Sequence, residues 1–125
     1  MRKIISFDFD GVIHSFDSPW EAPDIIPDPP VDGIRNLIAE LRDLGFKVIV
    51  SSSRCSGKGG KEAILEYLDK YKIKVDDVTA EKVASMVHID DRAITFTGDT
   101  EGLLEEIKSF TPWNRPGELP VQTIE

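Results

Sequence analysis

Apolar positions recur in two rhythms along this chain, and their alternation predicts the fold. Short apolar runs at Ile4, Ile5 and Phe7, and at Val48, Ile49 and Val50, have the length and β-branched character of buried strands. Ile34, Leu37, Ile38, Leu41 and Leu44 instead recur at helical spacing, with Asp32 as an N-terminal acid and Gly45 as the stop. A glycine-rich loop at 57–60 leads into a second amphipathic helix whose inner face is Ile64, Leu65, Leu68 and Tyr71. Further strands are expected at 73–79, 86–89 and 93–97. A last helix is expected over 100–110, capped by Asp99 or Thr100, with Leu103, Leu104 and Ile107 facing inward. Residues 14–30 carry Pro19, Pro23, Pro27, Pro29 and Pro30, so they read as a loop over the entrance to any site at the end of the first strand.

This order of strands and helices predicts an α/β domain over residues 1–110, with a parallel, three-layer, Rossmann-like sheet and helices on both faces. Residues 111–125, with Pro112, Pro116, Gly117 and Pro120, read as an extended tail. At 125 residues the chain has room for one core. No apolar run approaches the roughly 18 residues that a membrane-spanning helix needs. The single cysteine, Cys55, excludes an internal disulfide and fits a reducing cytoplasm. A net charge of −8 argues against duplex nucleic-acid binding, while leaving room for a phosphate ester held by local cations.

Asp8 and Asp10 follow the first apolar run and precede Gly11. Residues i and i+2 share a face of a strand, so both carboxylates are expected in one crevice at its carboxyl end, where open α/β sheets bind ligands. Two like charges held that close want a cation. The segment Phe7-Asp8-Phe9-Asp10-Gly11-Val12-Ile13 resembles the first motif of haloacid dehalogenase-like (HAD) phosphohydrolases. Val48-Ile49-Val50-Ser51-Ser52-Ser53-Arg54 resembles their second motif, Lys82 the third, and Val87-His88-Ile89-Asp90-Asp91-Arg92 the fourth, in the family's order. The stretch Ile89-Asp90-Asp91-Arg92-Ala93, with the tail Thr111-Pro112-Trp113-Asn114, further resembles small HAD-like proteins of bacteria and their phages.

The resemblance implies a Mg²⁺-dependent phosphatase. In that reading Asp8 is the nucleophile that forms an aspartyl-phosphate, and Asp10 protonates the leaving group and then activates water. Asp10, facing a second negative charge, is expected to hold its proton more tightly. Asp8, the backbone carbonyl of Asp10, Asp90 and Asp91 would supply the hard oxygen ligands that suit Mg²⁺. Either Asp90 or Asp91 could touch the ion directly. Lys82 would neutralise phosphoryl oxygens, and Ser51, Ser52 or Ser53 would hold the others. Alignment with a Thr-x-Arg variant favours Ser52, although a one-residue register slip would turn Ser51 inward.

Other patterns fail on their chemistry. The 57–61 stretch lacks the first glycine of a Walker loop, and Glu62 stands where Ser or Thr must hold Mg²⁺. Cys55 and Lys61 mimic a cysteine-phosphatase loop without arginine's bidentate grip. Asp99 reads as a helix cap. His14 and His88 are too few and too far apart for a zinc site, and His88 is expected to pack in or against the sheet. Trp20 offers a ring to a base or sugar, or packs its own loop down. With no room for a cap domain the site is expected to be open. It would take a phosphorylated small molecule or an exposed phosphate on a larger substrate, greeted by Arg54, Lys58 and Lys61 at the rim. The alternative is a catalytically weak HAD-like protein that binds a phosphorylated metabolite or partner.

Overall fold

A computed structural model of the chain describes residues 3–114. By its contacts the chain divides into two compact units, Met1–Asp90 and Asp91–Glu125. Of the tail expected at 111–125, residues 115–125 lie outside the described residues.

The first unit holds four strands, β1 (Ile4–Asp8), β2 (Lys47–Ser51), β3 (Asp77–Thr79) and β4 (Val87–Ile89), and two helices, α1 (Ile34–Asp43) and α2 (Gly60–Lys70). The strands form one all-parallel sheet in the order β3-β2-β1-β4. Register sets Ile5 beside Val48, Phe7 beside Val50, and Val50 beside Val78. Residues in register share a face, and these five join one core cluster with Ile34 and Ile38 of α1 and Ile64, Tyr67 and Leu68 of α2. Both helices therefore pack on the same face. Crossover handedness explains this, because the steps from β1 to β2 and from β2 to β3 run the same way across the sheet. The return from β3 to β4 runs the opposite way, through residues 80–86, which contain no helix. This segment is tied to β1 by a 2.8 Å bond from the Met86 amide to the Ile4 carbonyl and by a 2.6 Å Ser6–Ser85 hydroxyl contact.

Several expectations shift by local physics. Leu65 lies one position off the i, i+3, i+4, i+7 stripe and is exposed, while Tyr67 on that stripe is buried. In α1 the buried positions are Ile34 and Ile38, and the N-cap is Gly33 rather than Asp32. The strand expected at 73–79 shrinks to its last three residues, because Ile73 enters the core from a turn and Asp76 is spent on the end of α1. Asp76 accepts from Arg42 and from the Val48 amide, pinning that turn to β2.

In the second unit the described residues hold one helix, α3 (Leu103–Ser109), and residues 93–97 form no strand. Asp99 accepts the Glu101 amide at 3.0 Å, a turn closed ahead of the helix, whose N-cap is Gly102 without a side-chain cap bond. Among the described residues no helix is long and apolar enough to cross a membrane.

The glycines at 57–60 are packing devices. A Cβ on Gly60 would stand 1.8 Å from the Arg54 carbonyl oxygen, and one on Gly57 would stand 2.3 Å from the Pro23 ring. Only bare backbone lets α2 start so close to the preceding turn while the proline-rich loop lies against it.

Candidate functional site

The strand order reverses at β1: the chain moves from β1 outward to β2 and β3, then returns to pair β4 with the other edge of β1. Such a switch point leaves a crevice at the carboxyl ends of the two strands that flank it. Asp8 ends β1, and Asp90 directly follows β4, whose Ile89 is in register with Phe7. Asp8 and Asp90 each offer a carboxylate oxygen, and these lie within 4.8 Å of each other. Asp91, the next residue, opens the second unit. A pair of carboxylate oxygens so placed is a group able to hold a metal ion.

The neighbouring strand ends are arranged around this point. Ser51 ends β2 in register with Asp8, and its hydroxyl donates to the Glu81 carbonyl at 2.7 Å. That bond fixes the residue before Lys82, so the exposed lysine is tethered beside the tip of β2. Ser52 is buried, and its hydroxyl accepts the Arg54 amide at 3.2 Å, capping a short 3₁₀ turn over Ser53–Ser56. Ser53 is exposed on that turn. Both candidate hydroxyls thus carry structural bonds.

Asp10 has a different setting from the one its sequence suggests. Its carboxylate accepts Arg54 Nε at 2.8 Å, Arg54 Nη2 at 3.0 Å and His14 Nδ1 at 2.8 Å. The other Arg54 nitrogen, Nη1, donates to the carbonyls of Ala22, Pro23 and Ile25 at 2.9 to 3.0 Å. Arg54 is 1% exposed, and the Trp20 ring covers its guanidinium at 4.4 Å. His14 is fully buried; its Nε2 accepts the Asp28 amide at 3.1 Å, which leaves the ring proton on Nδ1, facing Asp10. Tyr67 donates to the Asp28 carbonyl at 2.9 Å, and burial pushes its hydroxyl up.

These contacts correct the expected electrostatics of Asp10. Burial alone raises its carboxyl, but hydrogen bonds from His14 and Arg54, with the charge of Arg54, outweigh that and hold it below the usual carboxylate range. The carboxyl of Asp10 is held lower by a bidentate partner, where a second negative charge was expected to raise its proton affinity.

The same sign governs acid stability. Asp28 is lowered because hydrogen bonds from the Ser18 hydroxyl and amide overcome the effect of burial, and Asp76 is lowered chiefly by its bonds from Arg42. Each carboxylate binds its proton less readily when folded, so acidification favours the unfolded chain. Stability is expected to be full above about pH 4 and to fall as the pH drops through the lowered folded values. Urea midpoints from pH 7 to pH 2.5 check this, and a midpoint that holds or rises on acidification contradicts it.

Sequence reasoning placed Arg54 at the rim and gave His14 no role, whereas both are buried beside Asp10. The signals were the i, i+4 spacing of Asp10 and His14 and the arginine three residues past the strand tip. His88, expected in the core or on a sheet face, lies on β4 and is exposed. Burial pushes the Cys55 thiol up against the opposing charge of Lys61, the wrong direction for a nucleophilic thiolate. Compared with known proteins, the chain matches no family model, no curated protein and no solved structure.

Proposed function

We propose that this chain is a Mg²⁺-dependent phosphomonoesterase of the HAD-like type, working through an aspartyl-phosphate on Asp8. The observation that carries the reading is the meeting of the Asp8 and Asp90 carboxylates at the switch point of a parallel sheet. A three-layer, capless arrangement with helices on both faces and a cytoplasmic setting belong to the same proposal. So do Asp91 as a further ligand and Asp10 as a ligand through its backbone carbonyl.

A divalent cation on Asp8 and Asp90 would neutralise phosphoryl charge. Asp8 then attacks phosphorus in line, and the bond to the leaving oxygen breaks with its electron pair on that oxygen. Lys82, tethered beside the strand tips, offsets charge on the transferred group, and the Ser51–Ser53 turn lines its far side. In the second half water attacks the acyl phosphate, phosphate departs, and Asp8 is regenerated. Asp10 is ionised and so can accept the proton of that water, but the bonds from Arg54 and His14 that lower its carboxyl also weaken it as a base.

The clamp on Asp10 also favours a second reading, a protein that binds a phosphorylated metabolite or partner and turns it over weakly. A carboxylate held ionised is a poor acid for an alkoxide leaving group. An alkyl phosphate, whose alkoxide needs that proton, therefore separates the two when set against an aryl phosphate, whose phenolate departs without one. The phosphatase reading expects hydrolysis that rises saturably with Mg²⁺ and vanishes in EDTA. Metal-independent turnover rejects it, and saturable binding without turnover selects the binder.

A further inference from the structure

We propose that His14 is a positioning residue for Asp10, fixing Oδ1 of that carboxylate so that Oδ2 is left to exchange protons with the leaving group and with water; this deepens the phosphatase reading above and rests on it. Asp10 and Arg54 lie shortly beyond Asp8 and Ser51, which stand side by side in register at the ends of β1 and β2. The ion pair of Asp10 and Arg54 therefore bridges the carboxyl ends of two paired strands, beside the crevice where Asp8 ends β1.

A carboxylate has about four lone-pair sites, shared equally between its oxygens. Arg54 takes one on each oxygen: Nε donates to Oδ2 at 2.8 Å, with a longer arm to Oδ1 at 3.1 Å, and Nη2 donates to Oδ1 at 3.0 Å. Such a fork by itself leaves both oxygens with a site to spare. His14 breaks that symmetry, because its Nδ1 donates to Oδ1 at 2.8 Å. Among the described residues, the site that remains is on Oδ2. Solvent reaches this trio chiefly through Asp10, whose side chain is 19% exposed against 0% for His14 and 1% for Arg54.

His14 is itself held from every side. Its amide donates to the Phe9 carbonyl at 2.9 Å, and its carbonyl accepts the Gly11 amide at 2.8 Å. Its ring stacks on Phe9 at 5.6 Å and meets Tyr67 edge-on at 5.7 Å. With Nε2 occupied by the Asp28 amide, the ring proton stands on Nδ1 and has no onward path through the ring. The imidazole is therefore an orienting donor and not a proton relay. Orientation of this kind matters to rate, since a misplacement of about 1 Å in a reacting group costs about 10²-fold.

The test separates the two ring nitrogens in the full chain with Mg²⁺. His14→Gln can keep an acceptor for the Asp28 amide while losing the donor to Asp10, and His14→Asn can keep that donor while losing the acceptor. Each gives up one buried hydrogen bond, so a merely structural role predicts the same defect in both. Under single turnover with enzyme in excess, the rate on an alkyl phosphate, whose leaving group needs a proton, is compared with the rate on an aryl phosphate, whose leaving group does not. The alkyl-to-aryl ratio is expected to fall about 10²-fold in His14→Gln and to stay within about threefold of wild type in His14→Asn. An equal fall in both variants, no fall in His14→Gln, or wild-type turnover confined to the aryl ester overturns the positioning role and leaves the attack by Asp8 standing. Absence of wild-type turnover with either ester overturns both. Nitrogen NMR of the unmutated chain, with its two histidines, decides even where a variant fails to fold. One ring protonated at Nδ1 and bare at Nε2 is expected, and the lack of such a ring overturns the proposal.

Discussion

Replacing Arg54 with alanine is expected to destabilise the protein by about 3 kcal/mol or more, which is what removing one partner of a buried ion pair costs. The substitution leaves the Asp10 carboxylate with His14 alone and strips the carbonyls of Ala22, Pro23 and Ile25 of their shared donor. Buried acceptors left without partners add to the loss. Two observables should move together: the urea midpoint falls, and amide exchange across residues 14–30 accelerates, because the proline-rich loop loses its anchor. Arg54→Lys keeps the charge but cannot present nitrogens to a carboxylate and three carbonyls at once, so an intermediate loss is expected. An alanine variant within 1 kcal/mol of wild type would show that the clamp is not what holds the loop.

Asp8→Asn is expected to lower Mg²⁺-dependent aryl-phosphate hydrolysis by about 10⁴-fold or more, the scale on which losing a covalent nucleophile is felt. The substitution also removes one of two carboxylates that face each other within 4.8 Å. Mg²⁺ should raise the thermal midpoint of wild type by mass action and leave that of Asp8→Asn nearly fixed. Hydrolysis retained in Asp8→Asn sinks the covalent mechanism, and equal Mg²⁺ stabilisation of both proteins sinks the metal site.

The parts of the fold most legible from sequence are those where one physical signal dominates. Val48, Ile49 and Val50 form a buried central strand, and Ile64 and Leu68 anchor a helix on its stripe. Legibility failed where an apolar residue had more than one way to be buried. Ile73 reaches the core from a turn and so imitates a strand, whereas residues 93–97 have strand-like composition and form none among the described residues. Periodicity reports what is buried, not the backbone that buries it.

The site divides along a similar line. The carboxylates at the ends of β1 and β4 could be read in advance because an acid just past an apolar strand has few structural uses. Arg54 could not, since an arginine in a polar turn ordinarily reads as solvated charge. Only the backbone path of residues 22–25, which no local pattern encodes, reveals that three carbonyls converge on it. His14 was hidden by the same long-range geometry, because its partner amide at Asp28 lies on the far side of a proline-rich excursion.

The strand order carries a consequence for assembly. β1 emerges first in synthesis yet ends flanked on both edges, and its neighbour on the acidic side is the last strand of the first unit. The carboxylate of Asp8 therefore waits through both helices and two further strands before Asp90 arrives beside it. A chain cut short of residue 87 would carry Ser51, Ser52, Ser53 and the Arg54 clamp, yet lack the carboxylate that comes to stand beside Asp8.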